Sequence, residues 1–371
     1  MTTATPHEEL RDLLDHEVMP AHRARWGDTD SWEARYDFSR RLAEAGWTAP
    51  RWPVELGGRG LSVEEQLACD AELNRVRAPM QVAVFGVNNV GPTIAAVGTP
   101  EQRRHLDAIL TLDEVWCQGF SEPDAGSDLA GLRCAATLYG DTFVVDGSKV
   151  WTSIGMWATH CMLLVRSDPD AERHRGISAL LVPLDLAGIT RRPIVSLDGR
   201  ADFAELHFDG VEVPRSGLLG PRHEGWRVAM TTLGYERAGV IAEAGKLVDA
   251  VGETVARLAA SDRLGPVLRD RAAALHIDAR LLALLGARSL AEADGPPGAI
   301  SSVIKLAWSN LGQRLAELAA DADGMDAVAG DAMDGGKRLL ASRSLSIAGG
   351  TTEIVKNLIA ERSLGLPRHP G

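Results

Sequence analysis

The hydrophobic pattern changes twice along this chain, and that change restricts the possible folds more than any other sequence feature. Residues 1–115 carry apolar side chains at helical spacing, for example over 40–45 and 63–67. Residues 116–220 carry short alternating runs separated by Gly-Asp and Asp-Gly turns, and residues 221–371 return to helical spacing. The sequence therefore predicts an N-terminal helical domain, a central antiparallel β domain and a C-terminal domain of the four-helix-bundle type.

The same pattern predicts individual elements. Strands are expected at residues 134–138, 142–145, 162–165, 177–182 and 204–208. Helices are expected to start near Pro100 and to span 226–258, 267–290, 300–320 and 352–364. The Gly- and Asp-rich stretch 321–336 predicts a loop.

Composition excludes several classes of function. The net charge is −12 and no basic block offsets it, which argues against a nucleic-acid surface. The most apolar stretch, 80–98, is interrupted by Asn88 and Asn89, so no membrane span is expected. The four cysteines lack CxxC spacing and the ten histidines include no HExxH pair, so no metal site is expected. With no secretion signal at the N-terminus, we expect a cytoplasmic protein.

Two motifs flank the first half of the predicted β domain. Residues 121–128, Ser-Glu-Pro-Asp-Ala-Gly-Ser-Asp, form a loop that can present N–H groups and hydroxyls to a phosphate or a ring carbonyl. Residues 147–153, Gly-Ser-Lys-Val-Trp-Thr-Ser, combine an indole with hydroxyls, which suits a planar heterocycle. Each has an ordinary alternative: a capped turn for the loop, and a core position for the tryptophan.

Two further motifs lie in the C-terminal region. Glu236 and Arg237 interrupt an apolar stripe between Met230 and Ala244, where a charged pair needs partners or a cavity. The alternative is a partly exposed pair at the edge of a helix. The sequence 348–353, Ala-Gly-Gly-Thr-Thr-Glu, is a glycine turn entering a helix, which can bind an anion or a carbonyl, or can serve only as a cap.

Together, and in this order, the motifs resemble those of the acyl-CoA dehydrogenases. The resemblance rests on 118–128, on 147–153 and on the C-terminal stretch from Ala348 through Ile354 to Pro367, and it extends over essentially the whole chain. It implies the three-domain fold and the FAD-dependent removal of two hydrogens across the Cα–Cβ bond of an acyl-CoA thioester. It also implies that electrons pass to an electron-transfer flavoprotein.

The resemblance assigns roles to residues of the motifs. Phe120 and Ser121 are expected along the isoalloxazine ring, and Ser127 in the channel where flavin and CoA phosphates approach. Trp151 is expected to cover a flavin face, with Ser153 near N5. In the C-terminal region the resemblance implies contacts to FAD from Gly350, Thr351 and Glu353. It also implies a contact to the substrate from Arg237.

One departure from the family pattern concerns the catalytic base. A glutamate usually precedes the Gly-Thr pair near the C-terminus, but here Gly349 occupies that position. Some members with a small residue there carry the base on the helix after the β domain, where this chain has Glu236. We therefore expect Glu236 to abstract the α-proton while the Gly349 N–H binds the thioester carbonyl.

A second departure concerns assembly. Segments of the form Arg-x-Phe-Gly and Gln-x-x-Gly-Gly-x-Gly hold a neighbouring subunit's FAD in many members, whereas this chain has only Arg263-Leu264-Gly265 and Asp334-Gly335-Gly336. The family suggests a homodimer or homotetramer, and a heteromer stays open. Two other functions also stay open: an oxygen-using oxidase or monooxygenase of the same fold, and a non-catalytic or half-site subunit of a heteromeric dehydrogenase.

Overall fold

The computed structural model describes residues 4–260, 264–291, 299–329 and 334–367, and within them the side chains of 236–243 and of a few helix-end residues lie outside the description. Contacts divide the chain into two compact units. The first comprises Met1–Ile194 with Asp202–Tyr235, and the second comprises Val195–Ala201 with Glu236–Gly371. The domain boundaries expected after residues 115 and 220 are not tested by this division and stay predictions.

The N-terminal part of the first unit is helical, as predicted. Its helices are α1 (Pro6–Leu13), α2 (Met19–Trp26), α3 (Trp32–Glu44), α4 (Val63–Arg75), α5 (Gly91–Val97) and α6 (Arg104–Thr111). Ser31 and Ser62 start α3 and α4, because each hydroxyl accepts a hydrogen bond from a first-turn N–H. The helix expected near Pro100 begins only at Arg104, since a hydrogen-bonded turn precedes it.

The central sheet has eight strands. They are β1 (Trp116–Gly119), β2 (Ala135–Tyr139), β3 (Thr142–Ser153), β4 (His160–Arg166), β5 (Ile177–Pro183), β6 (Ile189–Ile194), β7 (Phe203–Pro214) and β8 (Leu218–Leu219). The order is β6-β7-β3-β2-β4-β5-β8, and β1 pairs with β4. All five predicted strands are present, although β3 and β7 are each far longer than expected.

The sequence predicts an antiparallel sheet, but the observed sheet is mixed. Both β1 and the start of β2 pair with β4 in parallel, while the remaining pairs are antiparallel. Parallel pairing requires a long crossover between the two strands. The chain from the end of β1 to the start of β4 supplies it, because it contains the whole β2–β3 hairpin.

Buried apolar side chains cover both faces of the sheet. One face carries a core that includes Phe143, Leu163, Val165, Leu180 and Leu206. The other face packs Met162, Leu164 and Ala179 against Ile94 of α5 and Ile109 of α6. Strands β4 and β5 contribute to both cores and therefore read as almost continuous apolar runs in the sequence.

The second unit is helical. The long helix α7 (Gly225–Ala259) begins in the first unit and continues here, followed by α8 (Pro266–Ala291), α9 (Ala299–Asp323), α10 (Asp326–Ala329), α11 (Asp334–Ser342) and α12 (Thr352–Leu358). The loop expected at 321–336 is wrong over its described residues, which form the end of α9, α10 and the start of α11. Alanines there favour helix over the Gly and Asp signals. None of the described helices is long and apolar enough to cross a membrane.

Helix α8 carries apolar residues on two sides. Leu275 and Leu282 are buried in the core of the second unit. On the other side Ile277, Leu281 and Leu284 are 59%, 53% and 66% exposed, at the i, i+4, i+7 spacing of a single helix face. These three residues form an exposed apolar row in the single chain.

Candidate functional site

Trp151 lies at a β-bulge where β3 leaves its regular pairing with β7. Lys149 faces Leu206 and Thr152 faces Ala204, so two residues of β3 oppose one residue of β7. The backbone of Trp151 has φ of +58°, a left-handed conformation that is unfavourable for a bulky residue. Its indole is 59% exposed and contacts the ring of Phe203 edge-on. The bulge thus turns Trp151 outward, and the alternative of a core position is wrong.

A backbone hydrogen bond joins the 121–128 loop to β3 beside this tryptophan. Within the loop Glu122 and Ala125 exchange backbone hydrogen bonds of 3.0 and 3.1 Å, which closes a tight turn. The Val150 N–H donates to the Ser121 carbonyl at 2.9 Å. Ser121 therefore lies against the residue that precedes Trp151, so the structure brings two of the predicted site residues together.

The other predicted residues of this region differ in exposure. Phe120 is largely buried and belongs to the core shared with Met162. Ser153 ends β3 opposite Phe203 and is half-buried. Ser127 is exposed at the far end of the loop. Ser121, Ser153 and Ser127 thus offer hydroxyls at accessible positions.

A buried ion pair holds this region in place. The Lys149 ammonium lies 2.7 Å from Oε1 of Glu122 and also donates to the Phe120 carbonyl at 3.1 Å. The Glu122 carboxylate accepts the backbone N–H groups of Arg133 and Cys134 at 2.7 and 2.9 Å. The Lys149 side chain is 0% exposed and the Glu122 side chain is 8% exposed. Each charge is therefore satisfied by several partners, as burial of charge requires.

Sequence reasoning did not identify this ion pair, although a signal for it exists. In β3 the buried positions Phe143 and Val145 alternate with more exposed ones, and Lys149 continues the same inward series. A lysine at an inward position of a strand needs a buried acceptor. The glutamate of the neighbouring loop motif, Glu122, is that acceptor.

Two polar atoms beside these residues lack a protein partner. The Nε2 atom of Gln118 and the Oγ1 atom of Thr152 are buried and make no hydrogen bond. Gln118 lies two residues before Phe120, and Thr152 lies between Trp151 and Ser153. An accessible indole, hydroxyls and spare hydrogen-bonding atoms together fit a planar heterocycle with polar edges, such as a flavin.

A cavity of about 700 Å³ in the same unit is lined by the loop from Asp128 to Arg133, by β2 and by the β4–β5 connection. Four arginines line it, and Asp128 is its single acidic residue; the arginines are Arg133, Arg166, Arg173 and Arg222. Arg166 donates to the carbonyls of Ala130 and Leu132, so it forms part of the wall. The cavity is positively charged although the whole chain is acidic.

The arginines differ in their remaining hydrogen-bonding capacity. Arg133 is exposed and its guanidinium makes no hydrogen bond or ion pair with the described residues. Arg222 uses one nitrogen on the Ser167 carbonyl. Arg173, whose φ is +48°, pairs with Asp128 at 2.8 Å where both side chains are exposed. Donors therefore remain for an anionic ligand.

The second unit holds the predicted C-terminal motif. Gly349 and Gly350 have φ of +65° and +98°, so both occupy backbone conformations that favour glycine. Thr351 then caps α12 by accepting the Ile354 N–H, and Glu353 is exposed in the first turn. The cap interpretation of this motif is confirmed, and binding remains a prediction.

Helix α9 fixes the chain just before this glycine turn. The Lys305 ammonium and the Ser309 hydroxyl donate to the Leu345 carbonyl at 3.0 and 2.8 Å. The Gln313 amide donates to the Ser342 carbonyl and to the Ser346 hydroxyl. Polar side chains of one helix thus set the position of the turn that contains Gly349.

Several predicted residues lie outside what the structure describes. The backbone at Glu236 and Arg237 is helical within α7, but their side chains are not described. Arg263 lies outside the described residues altogether, whereas Gly335 and Gly336 belong to α11. The assignments to Glu236 and Arg237 therefore stay predictions.

Family models of three domains match successive parts of the chain. They describe the acyl-CoA dehydrogenase N-terminal domain at residues 5–111, the middle domain at 117–211 and the C-terminal domain at 223–364. The chain belongs to the acyl-CoA dehydrogenase family. It is accordingly an oxidoreductase of this kind, and FAD is the cofactor of the family.

Individual acyl-CoA dehydrogenases are similar over nearly the full chain. Acyl-CoA dehydrogenase IpdE1 of Mycobacterium tuberculosis is 42% identical over 352 residues, covering 91% of this chain and 90% of the relative. The solved Tcur3481-Tcur3483 steroid ACAD is 30% identical with a TM-score of 0.86, covering 98% and 97%. The ChsE4-ChsE5 complex from Mycobacterium tuberculosis is 31% identical with a TM-score of 0.83, covering 100% of both chains.

The buried ion pair of this dehydrogenase leads to a stability prediction. Replacing Lys149→Met leaves the Glu122 carboxylate buried without its cation, which typically costs about 3–5 kcal/mol. Chemical denaturation should show that loss, and the double variant Lys149→Met with Glu122→Gln should recover part of it. As a control, Arg227→Ala breaks the exposed pair with Glu224 and should cost less than about 1 kcal/mol. Equal losses in the Lys149 and Arg227 variants would contradict the structural role.

Proposed function

We propose that this dehydrogenase oxidises an acyl-CoA thioester across its Cα–Cβ bond, with Glu236 as the base that removes the α-proton. The observation that carries the proposal is Trp151: an exposed, strained tryptophan at a bulge, fastened next to Ser121. An indole held outward at a cost in backbone energy is typical of a ligand-binding position.

The chain's own residues suit the cofactor of the family. Trp151 would contact a face of the flavin, and the hydroxyls of Ser121 and Ser153 would bond its polar edge. The unpartnered Gln118 amide supports this assignment, since a buried donor without an acceptor is otherwise costly. When bound, FAD supplies the acceptor for the hydride that leaves Cβ.

The assignment of the base rests on two positions. At Gly349 a φ of +65° disfavours any side chain, which agrees with the absence of a carboxylate there. Glu236 then supplies the carboxylate, as in family members that carry the base on the helix following the β domain. The α-proton of a thioester is weakly acidic, so the developing enolate also needs hydrogen bonds to its oxygen. The Gly349 N–H is our candidate donor, with Arg237 a further substrate contact.

The positive cavity supports a CoA ester as the substrate. CoA carries phosphate groups, and an acidic protein needs local cations to hold them. The cavity is continuous in sequence with the loop that contains Ser127, because Asp128 lines it. We therefore assign the CoA phosphates to the guanidinium groups of Arg133 and Arg222, with Ser127 beside the path to the flavin.

The proposal extends to the protein's partners. We propose an electron-transfer flavoprotein as electron acceptor and assembly with a further acyl-CoA dehydrogenase chain. The exposed row of Ile277, Leu281 and Leu284 supports assembly, since an apolar helix face of this kind suits an interface. One solved relative is the ChsE4-ChsE5 complex, which is formed by two different chains. A half-site role in a heteromer is therefore the second candidate function. The four buried, unbridged cysteines suit a reducing compartment such as the cytoplasm.

Removing the indole should weaken binding of the cofactor. Aromatic stacking contributes about 0.5–1.5 kcal/mol beyond burial of area, so Trp151→Ala should raise the dissociation constant of FAD about 3- to 10-fold. Titration of the apoprotein with FAD, followed by flavin fluorescence, measures the change. Tyr139→Ala removes another exposed aromatic side chain of the sheet and should leave FAD affinity unchanged. If both variants bind FAD equally well, Trp151 has no role in the site.

Removing the carboxylate should stop the chemistry without releasing the cofactor. Glu236→Gln keeps the size of the side chain, so FAD should remain bound while anaerobic reduction of the flavin by acyl-CoA slows about 10²- to 10⁴-fold. Stopped-flow absorbance measures the rate with a panel of straight-chain and steroid acyl-CoA thioesters, the latter because one solved relative is a steroid ACAD. Glu253→Gln, an exposed glutamate of the same helix, serves as the control.

Two results of that experiment would change the assignment. Reduction of Glu236→Gln at the wild-type rate would exclude Glu236 as the base and direct attention to Glu353. A wild-type protein that purifies colourless and takes up no FAD would instead favour the half-site subunit.

The arginine cavity predicts a selective effect on substrate binding. Loss of one charged hydrogen bond to phosphate is equivalent to about 1.5 kcal/mol, so Arg133→Ala should raise KM for acyl-CoA about tenfold with little change in kcat. A dye-reduction assay measures both parameters. Arg192→Ala removes another exposed arginine of the sheet and should change neither. A fall in kcat at constant KM would refute the placement of the CoA phosphates.

A further inference from the structure

Three side chains that can bind a metal meet away from the flavin-binding residues. His105 lies on α6, Glu114 on the connection from α6 to β1, and His160 at the start of β4. Nδ1 of His105 lies 2.9 and 2.8 Å from the two carboxylate oxygens of Glu114. Nε2 of His160 lies 3.6 Å from Oε1 of Glu114. One ligand atom from each residue lies within 4.8 Å of the others.

Surrounding residues orient these three side chains. The Trp116 indole N–H donates to Oε2 of Glu114 at 3.0 Å, and its ring stacks on His160 with centroids 4.9 Å apart. The Thr159 hydroxyl lies 3.0 Å from Nδ1 of His160. This contact fixes the imidazole so that Nε2 points toward Glu114. Outer contacts of this kind are typical of histidine and carboxylate ligands of metals.

We propose that His105, Glu114 and His160 bind one Zn²⁺ ion, with water as the fourth ligand. Two imidazoles and a carboxylate are a common ligand set for zinc, with bonds of about 2.0–2.2 Å. The 3.6 Å distance between Nε2 of His160 and Oε1 of Glu114 suits two ligands of one ion. His105 would exchange its hydrogen bonds to Glu114 for a bond to the metal. The site departs from the expectation of no metal, which rested on sequence motifs and did not consider residues brought together by folding.

Three protein ligands and a water are typical of catalytic zinc sites, but this cluster lies at the opposite end of β1 from Ser121, and its position favours a structural role. A zinc ion there would join α6, the connection to β1 and the start of β4. Strand β1 runs from Trp116, which contacts all three ligands, toward Phe120 and the loop that contains Ser121. The metal would thus stabilise the strand that leads into the flavin-binding loop and take no part in the reaction.

Metal binding to the full-length protein tests the proposal directly. Protein treated with EDTA and dialysed should bind about one equivalent of Zn²⁺ in a calorimetric titration and should gain thermal stability. Loss of an outer contact weakens metal binding about 10- to 100-fold. His160→Gln removes a ligand itself and should weaken zinc binding by more than that. His207→Gln is the matched control, because His207 lies 3.0 Å from Glu205 without a third ligand.

Spectroscopy of the wild-type protein keeps the test independent of how the variants fold. Co²⁺ bound at the site should show the visible bands of four- or five-coordinate cobalt. The proposal is overturned if the wild type shows only the weak spectrum of hydrated Co²⁺. It is also overturned if it binds no stoichiometric Zn²⁺, or if His160→Gln and His207→Gln bind zinc equally. Failure of the dehydrogenase assay would not affect these readouts, since none depends on FAD or substrate.

Discussion

The arrangement of the residues that we propose to bind the flavin depends on one buried ion pair, between Glu122 and Lys149. A lone charge at either position would be prohibitive in the interior, so the two residues require each other. Their further hydrogen bonds reach Phe120, Arg133 and Cys134, and thereby join the loop after β1, the start of β2 and the second half of β3. That connection acts together with the hydrogen bond from the Val150 N–H to the Ser121 carbonyl, which places Ser121 beside the bulge at Trp151.

Different kinds of information in the sequence had different predictive power. Periodicity located the helices and strands, because the spacing of apolar side chains reflects which face is buried. It did not predict the parallel pairing of β1 with β4, since pairing partners depend on residues distant in the chain. It also misplaced a loop at 321–336, where alanines outweighed the glycine and aspartate signals.

The candidate site shows a similar division. Motif resemblance selected Ser121, Trp151 and the Gly349–Gly350 turn. The structure gives Trp151 and both glycines a positive φ and leaves Ser121 half-buried. Resemblance did not reveal the arginine cavity or the His105–Glu114–His160 cluster. Both consist of side chains from separate elements, and no local pattern records their proximity. Glu236, the base that we propose, was selected by the resemblance alone.

The left-handed backbone at Trp151 has a consequence for attempts to engineer this enzyme. Glycine or asparagine at this position would adopt the same φ at lower cost, so either should make the folded chain more stable. Both would also remove the indole. A selection for thermal resistance would therefore favour loss of the ring, and a selection for turnover would favour its retention. At this position a mutation that increases stability would therefore reduce turnover.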